Sequence, residues 1–201
     1  MEIICKSLGP VQANCYLVIQ DHRAIVIDPG DTWIELDSIL KQKEAKLEAI
    51  LLTHAHFDHI AGVDALIEQT QASLYLNPKE FEFLQDPKLN ASMSFYQNIR
   101  CHAIPQPLVE GNQTIAGMAI FVKYTPGHSI GSTTIQIEDC LFTGDTIFQG
   151  SVGRVDLPTG SLNQMNESIA YFKTIREDLK IYPGHGPTST VKLEKQWNPY
   201  F

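Results

Sequence analysis

The feature that most constrains this chain is six residues long and sits between two kinds of hydrophobic pattern. LEAILLT reads as a strand of the buried, apolar kind, HAHFDH follows at once, and GVDALIEQTQ then carries helical spacing. The middle piece is His54-Ala-His56-Phe-Asp58-His59. With seven histidines in 201 residues, the His-x-His-x-Asp-His string has about a 5 in 10,000 chance of arising by composition alone. At an extended strand end His54 and His56 project to the same side, so two imidazoles can converge on one ion. Asp58 and His59 come as the chain turns toward the helix and face a neighbouring position.

Two more histidines stand in turns that follow apolar strands: His128 in TPGHS and His185 in YPGHGP. Asp145 ends a fourth such segment, LFTGD. His22 and His102 lie outside these segments and read as ordinary solvated residues. Seven ligands (His54, His56, Asp58, His59, His128, Asp145 and His185) are too many for one tetrahedral ion and about right for two ions that share Asp145. Imidazole with carboxylate and no cysteine suits Zn²⁺, Fe²⁺, Mn²⁺ or Co²⁺, and weighs against a soft-metal site. Gly127, Gly144 and Gly184 precede ligands closely, where tight turns need them.

The rest of the chain predicts α/β layers. EIICKSL, NCYLVIQ and AIVIDPG read as strands; TWIELDSILKQKEA reads as a helix with Thr32 as N-cap and Ile34, Leu36, Ile39 and Leu40 on one face. SLYLNP is a strand and PKEFEFLQ a short helix entered through Pro78. Residues 86–100 have weak patterning and predict a loop with a helical piece that could overhang a site. AIFVKYTPG, STTIQIED and CLFTGD predict strands; the helix LNQMNESIAYFKTI, the strand LKIYPG and a helix near TVKLEKQW complete the order. Helices would cover sheet faces, with the chemistry at strand ends.

A single domain over residues 1–201 is expected. The net charge of −8 offers no footprint for nucleic acid or anionic lipid. No run approaches the roughly 18 apolar residues of a membrane span. Without an export signal, the expectation is a cytoplasmic protein whose Cys5, Cys15, Cys101 and Cys140 are reduced thiols.

These residues resemble the metallo-β-lactamase superfamily, and within it the small glyoxalase II-like hydrolases. The resemblance covers nearly the whole chain and is carried by Asp28-Pro29-Gly30, THAHFDHIAG, TPGHSIGS, LFTGDTIF, GSVGRVDLPTG and YPGHGPTST. It implies an αβ/βα sandwich, two mixed β-sheets flanked by helices. It further implies one metal on His54, His56 and His128, a second on Asp58, His59 and His185, and Asp145 bridging them. The implied cofactors are two divalent transition-metal ions, zinc first, with iron or manganese as the others. The implied reaction is hydrolysis of a small-molecule thioester such as S-lactoylglutathione by metal-bound hydroxide. The helical C-terminal extension that grips glutathione in two-domain glyoxalase II has no counterpart here. The competing expectation is a mononuclear-iron persulfide dioxygenase, which shares the fold and the string; a hydrolase of another ester or lactone is the third.

A thioester suits such a centre because a thiolate, pKa near 8.5, leaves with little help from an acid. Asp58 is both ligand and nearest carboxylate, so it is the candidate for orienting the nucleophile. Arg154 is the candidate substrate contact, in the loop where glyoxalase II-like enzymes place a basic residue. It could equally pair with Asp156 and hold that loop. Asp28 is expected to accept backbone hydrogen bonds or a ligand histidine's second N–H.

Overall fold

In a computed structural model, which describes residues 1–201, the apolar runs become strands that bury one face, as in β8, or both, as in β2. β1 (Glu2–Leu8), β2 (Ala13–Gln20) and β3 (Arg23–Ile27) form antiparallel pairs. After α1 (Leu36–Gln42), β4 (Lys46–Leu51) joins β3 in parallel. The short α2 (Phe57–Ile60) and α3 (Val63–Thr70) lead to β5 (Ser73–Leu76), also parallel. Two 3₁₀ turns, Pro78–Leu84 and Ser92–Phe95, precede the edge strand β6 (Gln106–Pro107). This sheet is ordered β1-β2-β3-β4-β5-β6.

The second half supplies β7 (Gly111–Ile115), β8 (Met118–Tyr124), β9 (Thr133–Ile137) and β10 (Cys140–Gly144). A small hairpin of β11 (Ile147–Phe148) and β12 (Ser151–Val152) follows, then α4 (Leu162–Thr174), β13 (Lys180–Pro183), β14 (Ser189–Thr190) and α5 (Val191–Trp197). The second sheet is ordered β14-β13-β10-β9-β8-β7, with β10 and β13 parallel and the other neighbours antiparallel.

Strand β2 shows why the sandwich closes. Its residues alternate: Tyr16 and Val18 enter the apolar layer between the sheets, with Ile120, Ile135 and Phe142 of the second sheet. Cys15, Leu17 and Ile19 enter the layer beneath α1 and α3, with Leu40 and Leu66. A third layer, including Met165, Ile169, Phe172 and Val191, seats α4 and α5 on the outer face of the second sheet. Each fully buried aliphatic or aromatic side chain contributes about 1.5–3 kcal/mol relative to exposure. The result is the αβ/βα sandwich of two mixed sheets flanked by helices.

Local differences have local causes. The first helix starts at Leu36 and buries Leu36 and Leu40, while Ile34 is 86% exposed and Thr32 caps nothing. The Thr32 N–H instead bonds to the Asp31 carboxylate, in the turn by which the chain leaves Gly30. PKEFEFLQ forms a 3₁₀ turn rather than an α-helix, capped by the Asn77 side chain on the Lys79 N–H. β7, GNQTI, is a half-exposed edge strand with too little apolar signal to be read beforehand. All four cysteines are free; Cys15, Cys101 and Cys140 are buried and Cys5 is exposed. No helix is long and apolar enough to cross a membrane.

Candidate metal centre

Strand ends bring the seven residues together at one edge of the sandwich. β4 runs out into Thr53, His54 and His56, and His56 is the N-terminal boundary of α2, whose first turn holds Asp58 and His59. From the other sheet, the parallel neighbours β10 and β13 deliver Asp145 and His185 side by side. His128 lies in the turn between β8 and β9. The ligating atoms of His54, His56 and His128 lie within 4.8 Å of one another, as do those of Asp58, His59 and His185, and those of His54, His59 and Asp145. Asp145 stands between the first two sets: its oxygens are 3.5 Å from His59 Nε2, 3.5 Å from His128 Nε2 and 3.7 Å from His185 Nε2.

Whether the residues fit a metal is tested by their unmet demand. His54 Nε2, His56 Nε2, both ring nitrogens of His59 and Asp145 Oδ1 are buried with no hydrogen-bond partner. Buried polar atoms are almost always satisfied, so five orphans in one place, all nitrogen or carboxylate oxygen, fit divalent cations. Burial drives His54 well down and takes His56 down to about 3, helped by the neighbouring histidines. Both rings are therefore neutral and ready to ligate at pH 7. For Asp145, burial works to raise the pKa, but the charge of His59 close by, with those of His128 and His54, holds it well below the carboxylate range.

Around this centre lies a set of residues that orient it. Asp28 accepts from the Thr53 N–H (2.8 Å) and the Thr53 hydroxyl (2.6 Å), and its Oδ2 is 3.1 Å from His59 Nδ1. Because the Thr53 hydroxyl spends its proton on Asp28, it can only accept from His54 Nδ1, 3.1 Å away. That assigns the His54 tautomer and leaves Nε2 free to ligate. His128 Nδ1 donates to the Arg154 carbonyl at 2.8 Å, which leaves that ring's Nε2 unprotonated, 2.8 Å from His56 Nδ1. The backbone half of the expectation for Asp28 is present, and His59 Nδ1 lies near its other oxygen without a hydrogen bond.

Glu80 carried no recognisable signal in the sequence, yet it is fully buried beneath the centre. Its carboxylate accepts from Ala55 N (2.6 Å), between the first two histidines, and from Gly131 N (2.8 Å) and the Ser129 hydroxyl in the His128 turn. One side chain thus ties together two ligand-bearing loops, one 25 residues before it and the other 49 to 51 residues after it. Asn14 and Tyr16 play a similar part for His185: Tyr16 Oη donates to Pro183 O (2.6 Å) and Asn14 Nδ2 to Pro183 O (3.0 Å) and Gly186 O (2.8 Å). Only partners separated by such distances along the chain could have exposed these roles. Glu80→Gln, which sets an amide N–H against a backbone donor, is expected to weaken metal binding about 10- to 100-fold. Chelator competition with the purified variant checks this, and unchanged affinity would remove Glu80 from the set.

Gly184 is needed for space rather than for a left-handed turn. A Cβ there would sit 2.1 Å from Asp145 Oδ1 and 2.8 Å from the His59 ring. Gly144 does have a positive φ, +48°, and its missing Cβ leaves room for the Thr53 side chain.

A cavity of about 330 Å³ opens over the centre, and its polar wall consists of His56, Asp58, His128, Asp145, His185 and Arg154. Arg154 therefore lies beside the cavity, but its guanidinium makes a two-point pair with Asp156, at 2.7 Å and 2.7 Å. Both side chains are exposed, so the pair's worth is small in water. His22 and His102 are exposed and distant in sequence from every member of the cluster.

Set against known proteins, residues 8–185 match a model of the metallo-beta-lactamase superfamily. The Bacillus subtilis (strain 168) protein named "Probable metallo-hydrolase YqgX" is 36% identical over 199 residues, spanning 96% of this chain and 94% of that one. Among solved structures, the BLEG-1 B3 metallo-beta-lactamase superimposes with a TM-score of 0.93 at 37% identity, over 99% of both chains. TTHA1623 in a di-iron-bound form gives 0.88 at 33% identity, over 98% of this chain and 100% of that one.

Proposed function

The chain belongs to the metallo-β-lactamase superfamily, and from that membership and the geometry of its centre we propose that it is a metallo-hydrolase whose substrate is a small-molecule thioester, with S-lactoylglutathione among the candidates. His54, His56 and His128 would hold one ion and Asp58, His59 and His185 the other, with Asp145 between them. Two divalent ions in these positions would supply a water of lowered pKa and a Lewis acid for a carbonyl oxygen. Zinc and iron both suit the donors, and TTHA1623 is described as di-iron-bound.

The observation that carries the thioester reading is what the cavity lacks. Every polar side chain on its wall is a candidate ligand except Arg154. Pairing with Asp156 pushes the Arg154 pKa further up, so it gives no proton to a leaving group. An amine or alkoxide leaving group needs such a proton, and a thiolate does not. In this reading Asp58 would orient the attacking water: burial would raise its pKa, but the charges of His59 and His185 keep it below the usual carboxylate value. It is a weak base there and acts as an acceptor. Arg154 would reach the substrate only by leaving Asp156.

A second reading, opening of a β-lactam ring, is supported by the likeness to BLEG-1. The departing ring nitrogen makes it the less suited of the two, since the wall offers it no acid.

The test is to purify the protein without chelator, count metals per chain, and follow free thiol from a lactoyl thioester with and without dioxygen. Two metals per chain with thiol release that ignores dioxygen is the expected result. One iron per chain and oxygen consumption with glutathione persulfide would replace it with the persulfide dioxygenase. Turnover of a cephalosporin without thioester cleavage would establish the β-lactamase instead.

A further inference from the structure

Half of the cavity wall is apolar: Val11, Phe57, Ala91, Phe95, Phe148 and Leu157. Two of these residues come from elements with nothing in common in the chain. Phe57 lies between His56 and Asp58, inside the metal string. Phe95 ends the 3₁₀ turn of residues 92–95, and its ring meets that of Phe57 with centroids 5.0 Å apart. Phe95 keeps 39% of its surface exposed, on an edge of the cavity.

The segment that carries Phe95 is held rigidly. Asn90 is fully buried and donates its amide to Phe83 O (3.0 Å) and Ile99 O (2.9 Å), while its Oδ1 accepts from Ser92 N (3.0 Å). The Asn90 carbonyl accepts from Phe57 N at 3.0 Å, joining the segment to the metal string itself. Buried Ser92 accepts from Ile99 N through its hydroxyl and from Gln97 N through its carbonyl. Ala91 (φ +64°) and Tyr96 (φ +59°), on either side of the turn, hold left-handed conformations that residues with a Cβ rarely adopt. Such conformations persist only where the surroundings over-determine them. Here they set one aromatic ring on the cavity wall against Phe57, while Tyr96 points wholly into solvent.

The charge at the cavity favours the same kind of ligand. Its one guanidinium is engaged by Asp156, and the chain carries a net charge of −8. Away from the metal positions, a substrate with extra carboxylates meets only this one paired guanidinium on the cavity wall. An uncharged apolar group finds two aromatic rings.

We propose that residues 90–96 form a fixed specificity wall, and that Phe95, with Phe57, receives an uncharged apolar group that the substrate carries close to its scissile bond. This rests on the hydrolase reading above for the position of that bond.

The experiment uses the zinc-loaded protein and a series of S-alkyl thioethers of N-acetylcysteamine, methyl to hexyl, which have no thioester to cleave. Affinity is expected to rise about three- to fourfold for each methylene that reaches the wall. Phe95→Ala is expected to flatten that slope, Phe95→Leu to restore much of it, and Ile104→Ala, at an exposed position outside the cavity, to leave it as in the wild type. A flat series in the wild type, or an unchanged slope in Phe95→Ala, would overturn the proposal. The matching acyl thioesters are assayed in parallel. An intact slope with no thiol release would uphold the wall and sink only the thioesterase reading.

Discussion

Asp145→Asn is expected to lower metal content at both positions of the centre and to cut thiol release from a lactoyl thioester at least about a thousandfold. The carboxylate is the one group that reaches all sides, with oxygens 3.5 Å from His59 Nε2, 3.5 Å from His128 Nε2 and 3.7 Å from His185 Nε2. Asparagine keeps the shape but loses the charge, and it turns an N–H₂ toward rings that must present lone pairs. There is no slack for a shifted side chain, because Gly184 already lies against Oδ1. Metal-centred charge stabilisation is worth several kcal/mol in the transition state, and each 1.36 kcal/mol is tenfold in rate, hence the magnitude. Asp58→Asn is the informative partner. Asp58 shares a ligand set only with His59 and His185, so this variant is expected to lose mainly one metal equivalent. Metal counting on the two purified variants reads the difference. Two tightly held ions in Asp145→Asn would refute the bridging assignment, and full rate with full metal in Asp58→Asn would end its role in orienting the water.

The metal-free protein is expected to lose stability steeply on acidification below pH 6.5. His56 has its pKa taken down to about 3 by burial first and by His128 second, and His54 moves in the same direction, again by burial first. A histidine whose folded pKa is depressed contributes no penalty above its unfolded value of about 6.5. As pH falls from there toward 3, the unfolded chain takes up protons that the folded one refuses, so stability drops. At pH 5 the loss from His56 alone is about 2 kcal/mol, from about 1.5 pH units at 1.36 kcal/mol each.

His59 has the opposite sign. Burial would lower it, but the carboxylates of Asp58, Asp28 and Asp145 hold it well above the usual range. Its stabilisation is already complete below pH 6.5 and fades only as pH rises through its folded value, so it does not offset the loss. Denaturant unfolding at pH 7 and pH 5, with and without saturating zinc, checks this. A midpoint that does not move between the two pH values in the metal-free protein would show that the two rings protonate in place. Bound zinc should resist the drop at pH 7 and lose its protective effect toward pH 5, as protons compete for the same nitrogens.

How the chemistry could be read in advance, and where reading failed, follows from the range of each interaction. The His-x-His-x-Asp-His string is local: strand geometry alone sends His54 and His56 to one side, and the turn into α2 sends Asp58 and His59 to the next position. The layered α/β order is local too, since periods of 2 and 3.6 are properties of neighbouring residues. Thr32 as a cap and Ile34 as a buried position were misread for the same reason in reverse. A helix start depends on where the chain must turn after leaving Gly30, and propensity does not encode that path.

What only the tertiary structure decided is long-range. Asp145 and His185 become neighbours because β10 and β13 pair in parallel, with Phe142 opposite Tyr182. Glu80 matters because a 3₁₀ turn from one half of the chain carries it under a loop from the other. Residues 86–100 read as a loop that could overhang a site; the fold puts Phe95 on the wall of the cavity, against Phe57, and pins its segment through Asn90. A buried glutamate or asparagine in a single sequence looks like any polar surface residue. The worth of Glu80 comes from donors 25 to 51 residues away, and those meet it only after the two sheets have closed and excluded the water that would otherwise have satisfied them.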